Sequence, residues 1–387
     1  MKLHFLLNAV FQSNPKYALI EWDSLHQPEQ EVLAGSSINS ADIFGVFKPL
    51  APQEGLSMKL AYKEVALLFY FLQQPGKLPN YIRAGYDDDM NMMLAKLVME
   101  GVIQIESNGD FLSGTLAFKQ LYEDNGHRQS WKYIETLSSK AIEYVVQLNY
   151  LDLGAALTRL YSYNTIPPPL KNSTFNAPDE TESFSDGENG PQTERELLKH
   201  WIRHSPTKEF PWLMYTRDLN GYNRTKNNVT YKMYVSPLPS SLREVYEKTI
   251  MLLSSTKAFS FKTGINQDGM LRPDKFVIYF HEYEHLHEAA ALLNTQLKEY
   301  PVQGVPFTAQ LDDTGLLSYG IDPPGNNKLD SQGGSWRAHV AEKLAVAVLQ
   351  AKEAQLDAKD AYEYIINKIY LEQIDPHTWV PQQDIWK

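Results

Sequence analysis

Residues 230–235 read Thr-Tyr-Lys-Met-Tyr-Val and residues 276–280 read Phe-Val-Ile-Tyr-Phe, two short runs rich in β-branched and aromatic residues. Such runs are typical of strands in a buried sheet. Together with two similar runs, they predict strands at 229–235, 258–262, 276–280 and 316–318. The 3.6-residue apolar period predicts helices at 241–254, 284–298 and 335–354, with another beginning within 193–202. Strands alternating with long helices predict a mixed α/β domain over residues 193–387.

Residues 1–163 predict a mainly helical N-terminal domain, so the whole chain is expected to be α+β. Helices are predicted at 59–73, 87–100, 131–148 and 154–163. Residues 102–114 alternate around Asn108-Gly109, a dipeptide typical of hairpin turns. Helices followed by a hairpin outline a winged helix, which would dock a peptide or DNA. A small helical domain with a hairpin fits equally well.

Residues 164–192 separate the two domains in sequence. The segment is rich in Pro, Ser, Asn, Gly and acidic residues. Such a composition buries too little apolar surface to offset the entropy of ordering the chain. We therefore expect a flexible linker between the domains 1–163 and 193–387.

Composition narrows the classes of function. A net charge of −11 argues against a general nucleic-acid binder, and three acidic residues at 87–89 would repel phosphates beside the predicted docking helix. Zero cysteines exclude disulfides and thiolate chemistry. No apolar run approaches twenty residues, and Asn8 breaks the short N-terminal one, so neither a membrane span nor a signal peptide is expected. The composition fits a cytoplasmic protein.

Two short motifs resemble known active-site signatures. His281-Glu282-Tyr283-Glu284-His285 matches H-E-x-x-H, which on a helix places two imidazoles on one face for zinc. It directly follows a predicted strand, so an exposed acidic helix start is the other interpretation. Residues 217–223 match the R-D-L-x-x-x-N core of a kinase catalytic loop. The Gly-rich loop, the V-A-I-K strand and D-F-G are all missing, which favours a chance match.

Three other segments place cations and hydroxyls on strands or at their ends. Lys232 and Tyr234 share one face of the strand at 229–235 by alternation. Lys262 ends the strand at 258–262, and Arg272 lies in the Leu-Arg-Pro-Asp-Lys run that leads into 276–280. A lysine at the end of a buried strand is costly unless it faces an anion or a cavity. Lysines whose ammonium groups reach solvent are the alternative.

The order of these segments resembles a known family. They run from Y-K-M-Y-V-S-P through S-F-K-T-G, L-R-P-D-K-F-V-I-Y-F and G-V-P-F-T-A-Q-L-D-D-T-G-L-L-S-Y-G-I-D-P-P to S-W-R-A-H-V-A-E-K-L. This series, over about residues 230–354, resembles the HopA family, first known as bacterial type III secretion effectors. Relatives include lyases of lanthipeptide-type peptide biosynthesis, which in turn resemble phosphothreonine lyases. The resemblance implies β-elimination of phosphate from phosphoserine or phosphothreonine, without a metal or other cofactor.

The resemblance also implies roles for the cationic residues. Lys262 would be the base that removes the Cα proton, a role that a desolvated lysine suits. Arg272 and Arg337 match the phosphate-binding arginines, whose planar guanidinium groups fit phosphate oxygens. Lys232 would polarise the backbone carbonyl or assist the phosphate.

The general acid is where the sequence departs from the family. Phosphothreonine lyases have a histidine two residues after the first lysine, whereas this chain has Tyr234. Either Tyr234 or His339, from the predicted helix at 335–354, would then supply the proton. Thr308 and Tyr319 fall in the later motif and would line the pocket, or serve only in turn and strand packing.

Three functions remain open from the sequence. The first is a phosphoserine/phosphothreonine lyase acting on a precursor peptide, with a separate kinase supplying the phosphate and the N-terminal domain gripping a leader. The second is a non-catalytic interaction protein of the effector type. The third is a zinc hydrolase at His281 and His285. No nucleic-acid or membrane partner is expected.

Overall fold

The computed structural model describes residues 3–26, 30, 42–51, 57–122, 132–149, 152–168, 196–204, 212–217, 229–264, 267–322 and 335–382. Its strands are β1 (Val10–Ser13), β2 (Tyr17–Glu21), β3 (Ile43–Pro49), β4 (Lys59–Tyr62), β5 (Gly76–Lys77), β6 (Ile103–Ser107), β7 (Asp110–Leu112), β8 (Trp201–His204), β9 (Trp212–Arg217), β10 (Thr230–Val235), β11 (Ser260–Gly264), β12 (Phe276–Phe280), β13 (Ala309–Gln310) and β14 (Leu317–Asp322).

The α-helices are α1 (Lys63–Phe71), α2 (Asn80–Arg83), α3 (Asp88–Met99), α4 (Phe118–Leu121), α5 (Tyr133–Gln147), α6 (Leu153–Tyr161), α7 (Leu242–Leu253), α8 (Gln267–Leu271), α9 (Tyr283–Leu297), α10 (Trp336–Glu353) and α11 (Ala358–Leu371). The mixture of helices and sheets confirms the α+β class. None of the helices in the described ranges is long and apolar enough to cross a membrane.

The chain divides into two compact units. The first comprises Met1–Gln129, Asn149–Leu153 and Lys343–Ile374, and the second comprises Ser130–Leu148, Gly154–Glu342 and Asp375–Lys387. This division differs from the boundaries expected from the sequence. Residues 130–148 and 154–163, expected in the N-terminal domain, belong to the second unit, while residues 343–374 return to the first.

The first unit contains more strand than the sequence predicted. Within its described residues, β5-β1-β6-β7 form one antiparallel sheet and β2-β3-β4 another. Strands β1 to β4 were not predicted because they are short and half-buried, which weakens their period-2 signal. The helix predicted from residue 59 begins only at Lys63, since residues 59–62 form β4.

The helix and hairpin that suggested a winged helix are both present. Asp87 caps α3 by accepting a hydrogen bond from the Met90 amide at 2.9 Å, and its acidic first turn complements the helix dipole. Asn108 and Gly109 both have positive φ between β6 and β7, as a tight hairpin turn requires. These elements are confirmed, and the docking role stays a prediction.

The second unit is built on a large antiparallel sheet. Its strands, counted over the described residues, follow the order β13-β14-β10-β12-β11-β9-β8. The strands predicted at 229–235, 258–262, 276–280 and 316–318 correspond to β10, β11, β12 and β14. Of the helix expected to begin within 193–202, the described residues show a helical stretch at 196–198, and β8 begins at Trp201.

One face of the large sheet forms the main hydrophobic core of the second unit. Inward side chains include Met233 of β10, Phe261 of β11 and Ile278 of β12, all fully buried. Helices α7 and α9 cover this face with their apolar sides, including Val245 and Leu293. Because side chains alternate along a strand, the residues between these positions project from the other face of the sheet.

Candidate functional site

The face of the large sheet opposite α7 and α9 carries the residues singled out from the sequence. In β10, Lys232 lies beside Tyr279 of β12, and Tyr234 lies beside Val277. Lys262 of β11 also lies beside Val277, from the other side of β12. Strand alternation therefore places Lys232, Tyr234 and Lys262 on one face. The two lysines stand two strands apart, roughly 10 Å between their backbones.

The same strand pairing places two aromatic residues and a carboxylate on this face. Trp212 of β9 pairs with Gly264, two residues from Lys262, and Asp322 of β14 pairs with Thr230, two residues from Lys232. The Lys262 Nζ atom lies 4.4 Å from the centre of the Trp212 ring. Tyr279 stands between the two lysine-bearing strands, with the Lys232 Nζ atom 5.7 Å from its ring centre.

The environment of Lys262 favours its neutral form. Burial and the nearby Lys232 ammonium, with a smaller contribution from Arg272, lower the pKa of Lys262 to about 8, while the Asp274 and Asp322 carboxylates oppose this shift. Desolvation and like charge both penalise an ammonium, so their combination explains the direction. A lysine with this pKa supplies a useful fraction of free amine near neutral pH, as a general base requires.

Lys232 is held by a carboxylate on the neighbouring strand β14. Its ammonium forms an ion pair with the Asp322 carboxylate, and both side chains are mostly buried. The other Asp322 oxygen, Oδ1, accepts a hydrogen bond from the Trp336 amide at 3.1 Å. The pair is thus anchored to the start of α10, and Lys232 is held as a fixed cation.

Arg272 and Arg337 meet at one buried carboxylate. Arg272 donates two bonds to Asp274, from Nε to Oδ1 at 2.8 Å and from Nη2 to Oδ2 at 2.9 Å. Arg337 donates from Nη1 to the same Oδ2 at 3.1 Å. The two guanidinium groups keep the pKa of Asp274 well below its usual range despite complete burial, and Asp274 in turn raises the pKa of Arg272.

The structure places Arg337 inside the fold. Its side chain is only 2% exposed. Besides Asp274, it donates from Nε to the Pro306 carbonyl at 3.1 Å and from Nη2 to the Tyr161 carbonyl at 2.5 Å. All three guanidinium nitrogens are therefore engaged with protein acceptors. This geometry suits an anchor for Asp274, whereas Arg272, with a side chain 36% exposed, can face a ligand.

Tyr161, at the end of α6, contacts both arginines. Its ring centre lies 4.4 Å from the Arg337 guanidinium carbon and 5.7 Å from that of Arg272. Trp212 flanks Arg272 from another side, at 5.4 Å. Aromatic faces attract guanidinium groups and restrict their orientation. Tyr161 and Trp212 thus help to hold Arg272 in place beside Lys262.

The segment that carries Tyr161 is fastened to the sheet through a buried lysine. The Lys275 ammonium donates to the Pro237 carbonyl at 2.7 Å and to the Gln303 side chain, and burial lowers its pKa to about 7. Gln303 donates to the Asn164 and Leu271 carbonyls at 2.6 and 3.0 Å. Residues 164–168, expected to begin a flexible linker, are therefore an ordered part of the fold. Residues 169–192 lie outside the described residues.

Tyr234 is buried among charged groups. Burial raises its pKa well above the ordinary value, and Asp322 adds to this effect while Arg337 opposes it. Tyr234 therefore keeps its proton at physiological pH and can donate a hydrogen bond. It is a much weaker acid than the histidine that the family pattern has at this position.

Three other candidates lie elsewhere. Tyr319 of β14 pairs with Met233, which places it on the helix-covered face, where its ring contacts Tyr283 at 5.5 Å. The Thr308 side chain is buried and donates to the Val305 carbonyl at 2.6 Å, a turn contact. The His339 ring packs against Trp336 at 5.4 Å. His339 is two residues from Arg337, and residues two apart on a helix face different directions.

The H-E-x-x-H motif does not form the zinc site that its spacing suggests. His281 precedes α9, and its ring stacks on Phe259 at 3.9 Å, whereas His285 lies inside the helix. A zinc site of the H-E-x-x-H type needs both histidines on one helical face. No group of three His, Asp or Glu residues in the described ranges could hold a metal ion. Of the kinase-like motif only Arg217, which ends β9, is described.

The sequence missed the carboxylates and aromatic residues of this site. Asp274 stands two residues after Arg272 in the Arg-Pro-Asp run, and that proximity was the available signal. Trp212, Tyr279 and Asp322 become visible only once strand register is known. Tyr161 comes from a helix far away in sequence, with no local signal at all.

Comparison with known proteins adds distant structural likeness. No protein-family model and no curated protein sequence matches the chain. Among solved structures, an effector protein from Pseudomonas syringae pv. tomato strain DC3000 is similar with 11% sequence identity and a TM-score of 0.43, covering 66% of this chain and 99% of that one. An effector protein from Pseudomonas syringae pv. syringae strain 61 is similar with 12% identity and a TM-score of 0.40, covering 64% and 98%.

Proposed function

We propose that this protein is a lyase that eliminates phosphate from phosphoserine or phosphothreonine in a peptide, leaving a dehydroamino acid. The observation that carries the proposal is Lys262, a lysine whose pKa is lowered to about 8 and which shares its sheet face with Lys232. Arg272 adjoins it across the Trp212 ring. A base and fixed cations placed together are what this elimination requires.

The reaction follows from these positions. The Lys262 amine takes the Cα proton of the phosphorylated residue, and the electron pair of that C–H bond forms the Cα=Cβ double bond. The Cβ–O bond breaks, and its electrons leave with the phosphate. Arg272 compensates the phosphate charge, which is about −1.5 to −2 at neutral pH. Lys232 stabilises the negative charge that develops on the adjacent backbone carbonyl.

In this proposal Arg337 acts through another residue. It fixes the Asp274 carboxylate, which in turn orients the Arg272 guanidinium by two parallel hydrogen bonds. Tyr234 keeps its proton and serves as a hydrogen-bond donor near the departing phosphate. The two residues therefore position and polarise, while Lys262 performs the proton transfer.

The substrate would be a peptide phosphorylated by a separate kinase. A phosphorylated precursor peptide fits the resemblance to enzymes of peptide natural-product biosynthesis. The first unit, with its helix and hairpin, would bind a leader segment in such a system. No metal or cofactor takes part, and the reaction would occur in the cytoplasm.

The test is direct mass measurement. Purified protein is incubated with phosphoserine and phosphothreonine peptides, with and without a leader, and the products are examined for loss of the elements of phosphoric acid. We expect that loss with the wild type and with Lys257→Met, an exposed lysine on the same unit. Lys262→Met should abolish it. The lyase proposal fails if no peptide loses phosphoric acid.

A second candidate function is non-catalytic binding of a phosphorylated partner, in the manner of an interaction protein. The observation that favours this function is that Lys232, Arg272 and Arg337 each form an ion pair with a carboxylate of the protein itself. Such pairs reduce the charge available to a transition state. If Lys262→Ala leaves every measurable binding and cellular effect unchanged, while no product forms with wild type, this second function is the better one.

A further inference from the structure

A cleft of about 250 Å³ adjoins Arg272 on the second unit. Such a volume is slightly below the usual range of small-molecule sites, so it suits one or two side chains. Its lining combines apolar groups, three hydroxyls and charged groups. The lining residues that matter here are Ile166, Asp268, Leu271, Arg272 and Asp274.

Two opposite charges line this cleft. Asp268 lies in the short helix α8, and Arg272 is the first residue after that helix. Both residues line the cleft. A carboxylate and a cation therefore face the same small space.

The two charged groups have different surroundings. Asp274 fixes Arg272 through its Nε and Nη2 atoms, and the Tyr161 side chain contacts the same guanidinium. Asp268 is exposed at the start of α8. Ile166 and Leu271 also line the cleft and supply apolar groups along which an aliphatic side-chain stem can lie.

We infer that this cleft is a substrate subsite for a lysine or arginine next to the phosphorylated residue, with Asp268 as the specificity-determining group. The inference rests on the proposed function, because the phosphate must lie at Arg272. The basic side chain would extend along Ile166 and Leu271 and place its charge at Asp268. An acidic residue at the same position would be repelled by Asp268.

The size of the preference for a basic residue follows from the solvent exposure of Asp268. Ion pairs at solvent-exposed carboxylates are weak, so a lysine should gain about fivefold at most over a neutral residue. Repulsion of a glutamate adds to the difference between the two peptides. We therefore expect about tenfold between lysine and glutamate, falling as ionic strength rises.

The experiment uses the full chain and three phosphopeptides that differ at one position beside the phosphoserine, bearing Lys, Gln or Glu. Two sets place that position before or after the phosphoserine. Binding is measured by fluorescence anisotropy, and elimination by mass loss under competition. The variants are Asp268→Asn and Asp268→Lys, with Asp313→Lys as a matched control, because Asp313 is exposed on the same unit but does not line the cleft.

The expected result is a lysine preference in one peptide set, reduced to near unity by Asp268→Asn and reversed toward glutamate by Asp268→Lys. The Asp313→Lys control should keep the wild-type preference. Elimination with no preference, or with a preference that Asp268→Lys leaves intact, overturns the subsite and leaves the lyase proposal standing. Binding with the expected preference but no elimination overturns the lyase and retains the subsite. Neither binding nor elimination overturns both.

Discussion

Replacing Lys262 by methionine should make the protein more stable at neutral pH. The lysine is half-buried on the sheet, and burial together with two neighbouring cations lowers its pKa to about 8. The folded state therefore opposes the charge that the ammonium carries at pH 7. Methionine has a similar length and no charge, so it can occupy the same space without that penalty.

The magnitude follows from the pKa. The difference between about 8 and the ordinary 10.5 corresponds to roughly 3 kcal/mol of unfavourable free energy for the charged form. Loss of the contact between the ammonium and the Trp212 ring offsets part of the gain, by about 0.5–2 kcal/mol. We expect Lys262→Met to raise the free energy of unfolding by about 1–2 kcal/mol at pH 7. For a unit of this size that is roughly 2–8 °C in melting temperature.

The pH dependence has a definite sign. Between pH 8 and 10.5 the unfolded lysine binds more protons than the folded one, so wild-type stability gains with rising pH across this window. The unfavourable free energy of the charged Lys262 in the folded state is complete below pH 8 and disappears above pH 10.5. The advantage of Lys262→Met should therefore be full at pH 7 and shrink toward pH 10.

Urea denaturation at pH 7, 8.5 and 10 measures this, with Lys257→Met as the control for an exposed lysine. The comparison at each pH is between variant and wild type, which removes the titration of other groups. Lower stability of Lys262→Met at pH 7, or an advantage that does not decline with pH, would refute the argument. Lys262 would then be a stabilised cation and a poor base.

Three further predictions concern residues that stabilise the fold. Arg337→Met should cost about 3–5 kcal/mol, seen as a lower melting temperature, because it leaves a buried aspartate half-paired and two buried carbonyls without donors. Gly264→Ala should cost about 1–3 kcal/mol in urea denaturation, since its Cβ would lie 2.5 Å from the Gly269 backbone, whereas Gly85→Ala meets nothing within 4 Å and should be neutral. Glu372→Gln should lower the free energy of unfolding by about 1–3 kcal/mol at pH 7, because two partly exposed lysines and Lys368 lower the Glu372 pKa to about 2. In a pH series, the stability difference between wild type and variant should fade as pH falls from 4.5 toward 2.

The sequence was sufficient for β10, β11, β12 and β14 of the second unit, but it did not predict β8, β9 or β13. Residues 276–280 form β12 with the predicted bounds, because a run of five β-branched and aromatic residues strongly favours a strand. The same reasoning failed for β1 to β4 of the first unit. Many side chains of those strands are only half-buried, and residues 59–62 carry an apolar spacing that continues into α1. A short half-buried strand gives the sequence too little contrast to be recognised.

Alternation along a strand predicted part of the site, and register decided the rest. Lys232 and Tyr234 share a face in any strand, so their proximity needed no structure. Placing Lys262 on that same face required the pairing of both strands with β12. Tyr319 shows the limit, because its pairing with Met233 moves it to the helix-covered face. One residue of register separates a site residue from a core residue.

The ion pairs determine the structural role of each arginine. A motif lists cations, and the physical role of each cation depends on where its carboxylate partner lies. Asp274 accepts bonds from two guanidinium groups, one almost fully buried and one partly exposed. A buried arginine without a carboxylate would be too costly to retain, so the pair must stay together. That pairing commits Arg337 to the fold and leaves Arg272 as the arginine that can face a ligand. Burial is the largest cause of the lowered Lys262 pKa, and the Lys232 and Arg272 cations beside it add to the shift.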